Sequence, residues 1–108
     1  MAYKKSIIND LKKVLIEIEK SSGIKIQKAW LYGSYAHDTQ HKWSDVDVAL
    51  VANEFKGNEF DIVGLISRAL IKFPDLLLQP ITYHPSQFTP KNDPIVAEIL
   101  KSGIEIRI

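Results

Sequence analysis

A chain of 108 residues, 45% hydrophobic and 25% charged, has the make-up of one folded domain, 1–108, with no room for a second core. A formal net charge of +1 excludes a global pull on nucleic acid, so strong nucleic-acid binding is not expected and any use of nucleotides must come from a local site. The absence of cysteine excludes disulfides and thiolate metal sites, and no apolar run approaches the ~20 residues that span a bilayer.

The start, Met1-Ala2-Tyr3-Lys4-Lys5, leads into an amphipathic pattern and not a signal peptide, which predicts a cytoplasmic protein without a membrane partner. From Tyr3 to Ser22, the residues Ile7, Ile8, Leu11, Val14, Leu15 and Ile18 recur at helical spacing among Lys, Glu and Asp, predicting a surface helix with one buried stripe. Ser21-Ser22-Gly23 supplies its stop. Ile24 to Tyr32 predicts a strand that alternates first and becomes continuously apolar at Ala29-Trp30-Leu31. Gly33-Ser34 closes it, with Ser34 placed to cap a short helix through roughly Gln40.

Asp45 to Val51 predicts a second strand with Val46, Val48 and Leu50 on one face and Asp45, Asp47 and Ala49 on the other. Asn58, with Asp61 three residues on, resembles a capping box opening a helix to about Phe73, whose stripe is Ile62, Val63, Ile66, Ala69, Leu70 and Phe73. Leu76 to Tyr83 predicts a third strand, in which Pro80 calls for an edge position or a bulge. Asp93-Pro94 reads as the N-cap and first turn of a last helix ending near Ser102-Gly103, and Ile104, Ile106 and Ile108 alternate as a terminal strand. The short gap between the first two strands allows antiparallel pairing, so the expected fold is α/β, a mixed β-sheet with flanking helices.

One stretch carries chemistry: Gly33-Ser34, ten residues from Tyr35 to Ser44, then Asp45-Val46-Asp47. Carboxylates two apart on a strand share a face, where together they can hold a divalent metal. A glycine-serine turn leaving the neighbouring strand can hold a phosphate beside it. Each half alone is common as a solvated strand face or an ordinary turn; the combination, followed by the apolar run Val48-Ala49-Leu50-Val51, is the stronger signal.

The stretches Leu31-Tyr32-Gly33-Ser34-Tyr35-Ala36 and Ser44-Asp45-Val46-Asp47-Val48-Ala49-Leu50-Val51 resemble the signature of minimal nucleotidyltransferase (MNT) domains, in the DNA polymerase β-like superfamily. The resemblance implies a polymerase β-like nucleotidyltransferase fold. It implies Mg²⁺ held by Asp45 and Asp47, the catalytic pair, and triphosphate held at Gly33 and Ser34, with Tyr35 and Ser44 as further nucleotide-binding candidates. The implied activity is transfer of a nucleotide, from ATP, to a hydroxyl of a protein or small molecule. Small MNT proteins often partner a HEPN-domain protein in toxin–antitoxin pairs, so a HEPN-domain partner and a homo- or hetero-oligomer are also expected.

Two departures accompany the resemblance. The family often reads Gly-Ser-x-Ala-Arg-Gly, where this chain has Ala36-His37-Asp38, which should weaken triphosphate binding modestly. The family also commonly supplies a third carboxylate from the later strand, and counting back from Tyr83-His84-Pro85-Ser86-Gln87-Phe88 puts Gln79 in that place. Gln offers a carbonyl oxygen but no charge and cannot take a proton. Asp75 is too far along the strand to replace it, at ~3.3 Å per residue. The alternative reading is therefore a catalytically weak or inactive nucleotide-binding subunit that regulates or neutralises a partner. His37, His41 and His84 are too scattered to read as a metal triad, Lys42 reads as solvated, and Trp30 and Trp43 read as core residues.

Overall fold

A computed structural model of the chain describes residues 2–33, 45–55, 64, 67–68, 71–73, 78–91 and 93–107. The first helix, α1 (Ala2–Ser22), buries the predicted stripe, with Leu11, Val14, Leu15 and Ile18 facing the core. It ends as its sequence suggests. The hydroxyls of Ser21 and Ser22 donate back to the carbonyls of Glu17 and Ile18. Gly23 then takes a left-handed φ of 77° and donates its N–H to the Glu19 carbonyl at 3.0 Å, a conformation that glycine adopts without a Cβ penalty.

The strand expected from Ile24 begins only at Lys28, as β1 (Lys28–Tyr32). The amides that would have extended it are held by the end of α1: Ile24 N–H donates to Ser22 Oγ at 3.1 Å and Ile26 N–H to Glu19 Oε2 at 2.9 Å. Ile24 and Ile26 are buried all the same, so their apolar pattern reports packing under α1 and not sheet pairing. The second strand, β2 (Val46–Val51), follows the expectation to within one residue.

β1 lies antiparallel to β2 and to the terminal β4 (Ile104–Ile106), while β3 (Leu78–Tyr83) lies parallel to β2. The order β3-β2-β1-β4 makes the sheet mixed, as the sequence predicts, and puts Pro80 on an edge strand. There its missing N–H removes no bond from the sheet interior, and the register from Val46↔Leu78 to Val51↔Tyr83 runs without a bulge. Leu76 and Leu77, the expected start of that strand, lie outside the described residues, as does Ile108 at the end of β4.

A short 3₁₀ turn, Pro85–Gln87, leaves β3; His84 caps it, its Nδ1 accepting from Ser86 N–H at 3.1 Å while Gln87 Oε1 accepts from His84 N–H. That histidine is engaged locally. The last helix, α2 (Pro94–Ser102), has Asp93 as its N-cap, Oδ1 accepting from Ile95 N–H at 2.9 Å, and Pro94 in its first turn. Of the helix expected over 58–73, residues 64, 67 and 68 are helical and Ile71 N–H donates to the Ser67 carbonyl; the rest, and the short helix expected through Gln40, lie outside the described residues.

The sheet separates two apolar clusters. Against α1 pack Ala29, Leu31, Val46, Val48, Leu50 and Ile106. On the other side Val96 and Ile99 of α2 pack against Ala49, Val51 and Tyr83, flanked by Trp30, Tyr32, Ile81 and Phe88. Strand parity therefore assigns Asp47 to the α2 face, in step with Ala49 and Val51. Among the described residues no helix is long and apolar enough to cross a membrane.

Candidate active site

Asp47 sits one residue into β2, at the end of the sheet where β1 finishes and β2 and β3 begin. The register puts Tyr32 of β1 opposite it on one side and Gln79 of β3 on the other, so the three form a row across the α2 face. Asp45, exposed, lies just before the strand. Gly33, the residue after β1, has φ of 73°, and a Cβ built there would overlap Asp47 Oδ2 and come within 3.2 Å of its Cγ. Gly33 is thus needed twice, for its left-handed backbone and for the bare Cα on which the Asp47 carboxylate rests.

Burial raises the Asp47 pKa above the ordinary carboxylate value, and the neighbouring Asp45 adds to the rise. Both causes oppose ionisation, and a hard cation between the two carboxylates would relieve both. Among the described residues no Lys or Arg pairs with either acid. Gln79 lies directly beside Asp47 in the register of β3 on β2. No group of three or more His, Cys, Asp or Glu gathers among the described residues.

Two phenols, neither of them a site candidate in the sequence, lie in the row or near it. The Tyr32 phenol is half-buried, and burial, then Asp47, then Asp93 raise its pKa. Tyr83 is pushed up to about 12 by burial and by Asp93, to whose carboxylate its hydroxyl is hydrogen-bonded. Asp93 was legible only as a helix cap, and Tyr32 only as the last residue of a strand. Nothing local reveals that a register and a chain return bring them together.

Of the sequence candidates, Gly33, Asp45 and Asp47 come together at this end of the sheet, whereas Ser34, Tyr35 and Ser44 lie outside the described residues. A cleft of about 360 Å³ bordered by Glu19, Lys28, Glu105 and Arg107 lies at the other end of β1 and is not part of this row.

The family model described as polymerase beta, nucleotidyltransferase, matches residues 9–107. The chain belongs to that family. Members of this nucleotidyltransferase family generally use a divalent metal, in keeping with the paired carboxylates. The nucleotidyltransferase is 30% identical over 102 residues, 93% of this chain and 95% of the other, to a Methanocaldococcus jannaschii protein named "Putative protein adenylyltransferase". Its fold is that of a solved "putative nucleotidyltransferase" from Sulfolobus solfataricus, with a TM-score of 0.65 and 18% identity over 94% of this chain and 80% of that one. A structure described as a toxin-antitoxin with AMP-PNP shares the fold at a TM-score of 0.58 and 21% identity, covering 88% of this chain and 71% of that one.

Proposed function

We propose that this nucleotidyltransferase transfers AMP from ATP, with Mg²⁺, to a hydroxyl of a partner protein, and that its partner is a HEPN-domain toxin which it neutralises as the antitoxin. The observation that carries the reading is the Asp47 carboxylate. It is partly desolvated, has Asp45 nearby, and rests on the bare Cα of Gly33 at the end of the sheet where β1 finishes. The 30% identity to a protein named for protein adenylylation supports ATP as donor and a protein as acceptor. The fold shared with a toxin-antitoxin structure described with AMP-PNP supports the pairing, and the HEPN class comes from the MNT resemblance.

The donor set fits a hard divalent cation: two carboxylates and the amide oxygen of Gln79, all oxygen ligands. Such a cation, when bound, neutralises phosphate oxygens and the charge that develops on the leaving pyrophosphate. Asp45 and Asp47 would hold it, and Gly33 keeps a Cβ out of the space the Asp47 carboxylate occupies. In transfer the acceptor oxygen bonds to the α-phosphorus as the bond to pyrophosphate breaks, and the hydroxyl proton is released. Gln79 cannot take that proton, so it leaves to solvent or to a group on the acceptor.

A second reading is favoured by Gln79 itself: a subunit that binds nucleotide and regulates its partner with little or no transfer. The test is incubation with Mg²⁺, α-labelled ATP and the protein encoded beside it, comparing wild type with the Asp45→Ala/Asp47→Ala variant. Label on the partner that disappears in the double variant is expected. Nucleotide binding without label on any partner, with Mn²⁺ as well as Mg²⁺, would establish the binding subunit instead. A gain of transfer in Gln79→Asp would place the shortfall at that strand position.

A further inference from the structure

The sheet ends in two unlike edges. On one, β3 carries Pro80, which has no N–H to offer a further strand. On the other, β4 pairs with β1 along one side, and among the described residues no strand lies along its other side. Neither Ile104, Glu105 nor Ile106 is a proline, so the backbone of this edge can pair with another strand.

The sequence of that edge is complementary to itself. Ile106 stands between Glu105 and Arg107, which share the opposite face of the chain and pair with each other at 3.3 Å. A second β4 laid antiparallel, with Ile106 opposite Ile106, sets each Glu105 against the other copy's Arg107. Centring the pairing on Glu105 or on Arg107 sets like charges opposite each other instead.

Helix α1 repeats the pattern at the same level. Its Lys12, Ile16 and Glu19 lie in one row at helical spacing, and Ile16, in the middle, is 50% exposed. Glu17, on the far flank, is bridged to Lys72 at 3.1 Å, whereas Glu19 borders the cleft of about 360 Å³ beside β4. Leu15 and Ile106 line that same cleft, so the middle of the helical row and the middle of the edge stand together. The two-fold axis that pairs the strands also runs α1 antiparallel to its copy, Lys12 toward Glu19, with the two Ile16 side chains between them.

We propose that this edge is the surface on which two copies of the chain join, β4 to β4, the four strands of each forming one sheet of eight, with the cleft beside α1 closed by the second copy. Antiparallel joining places the two Asp47 rows at opposite ends of that sheet, so the surface is separate from the candidate site.

The test is sedimentation velocity on the full-length chain over a rising concentration series. Wild type should pass from monomer to dimer. Glu105→Arg and Arg107→Glu each set like charges in both pairs between copies, and each should raise the dimer dissociation constant about 10-fold or more. Mixing the two variants brings arginines against glutamates again and should restore the dimer as a one-to-one heterodimer. Neither a folding defect nor loss of the pair within the chain can produce that recovery. Ile16→Glu, a change at an exposed position, should also weaken the dimer, and a dimer indifferent to it would take α1 out of the surface. A wild type that stays monomeric into the high micromolar range overturns the proposal. So does a dimer that both reversals leave unchanged, or a pair of weakened variants that do not recover on mixing.

Discussion

On β2, Val46, Val48 and Leu50 face α1 at 2%, 5% and 1% exposure, while Asp47, one residue away along the same strand, faces α2 between Tyr32 and Gln79. The α1 face is sealed from end to end by aliphatic side chains from the helix, from residues 24–26 and from β4. Among the described residues the α2 face is covered in its middle, where Val96, Ile99 and Phe88 lie over Ala49, Val51, Trp30 and Tyr83. Its last row is polar, with Tyr32 and Asp47 partly buried and Gln79 exposed. The same backbone thus supplies a core face and a candidate site by the two-residue alternation of a strand.

The contrast can be broken most severely from the sealed side. Leu31→Ala, at a position 0% exposed against α1, should cost about 2–5 kcal/mol, a large part of the ~5–15 kcal/mol that stabilises a domain. Urea unfolding should show the midpoint falling, with transfer lost only in proportion to the unfolded fraction. Unchanged stability would mean the α1 face is not the core.

Gly33→Ala attacks the polar row. The left-handed backbone should cost about 1–2 kcal/mol, and the new methyl must displace the Asp47 carboxylate. Mn²⁺ binding should therefore fall far more than the melting temperature does. A variant that keeps wild-type Mn²⁺ affinity would show that the carboxylate does not depend on that seat.

The finest test separates the faces by pH. The Asp47 pKa is raised in the folded protein, so the native state holds its proton more tightly than the unfolded chain. Its contribution is full below the unfolded value of about 3.9 and is lost as pH rises through the higher native one. At neutral pH and without metal the ionised carboxylate opposes folding, so Asp47→Asn should melt slightly higher than wild type in a chelator. It should also lose the decline in stability just above pH 4. Adding Mg²⁺ should raise the wild-type melting temperature and leave the variant where it was. Melts that respond equally to Mg²⁺ would remove the cation from this row.

Much of this was readable from local pattern. The stripe of α1, its glycine stop, the opposite faces of β2 and the Asp93-Pro94 start of α2 all follow from periodicity and from steric rules that involve only near neighbours. The candidate site could be named from the sequence because its signature is also local: a glycine leaving one strand, and two acids at the mouth of the next. The beginning of β1 was not readable in the same way. Ile24 and Ile26 have a strand-like pattern, but whether a buried alternation pairs in a sheet depends on who takes its amides, and here Ser22 and Glu19 take them. That Tyr32 faces Asp47, and that Asp93 nears the phenols, was not readable, because each placement depends on a partner far away in the chain.

What the sequence determined by itself is the chemistry available and its spacing: two acids two residues apart where a strand begins, a glycine before them, and a family to which these belong. Tertiary structure decided the neighbours. Antiparallel pairing of β1 set Tyr32 against Asp47, parallel pairing of β3 set Gln79 on its other side, and the return of the chain over the face brought Asp93 to the phenols. Alternation along a strand is a property of the backbone and can be read residue by residue. Register is fixed by hydrogen bonds between strands and by the packing of both faces, and so exists only once the sheet has closed.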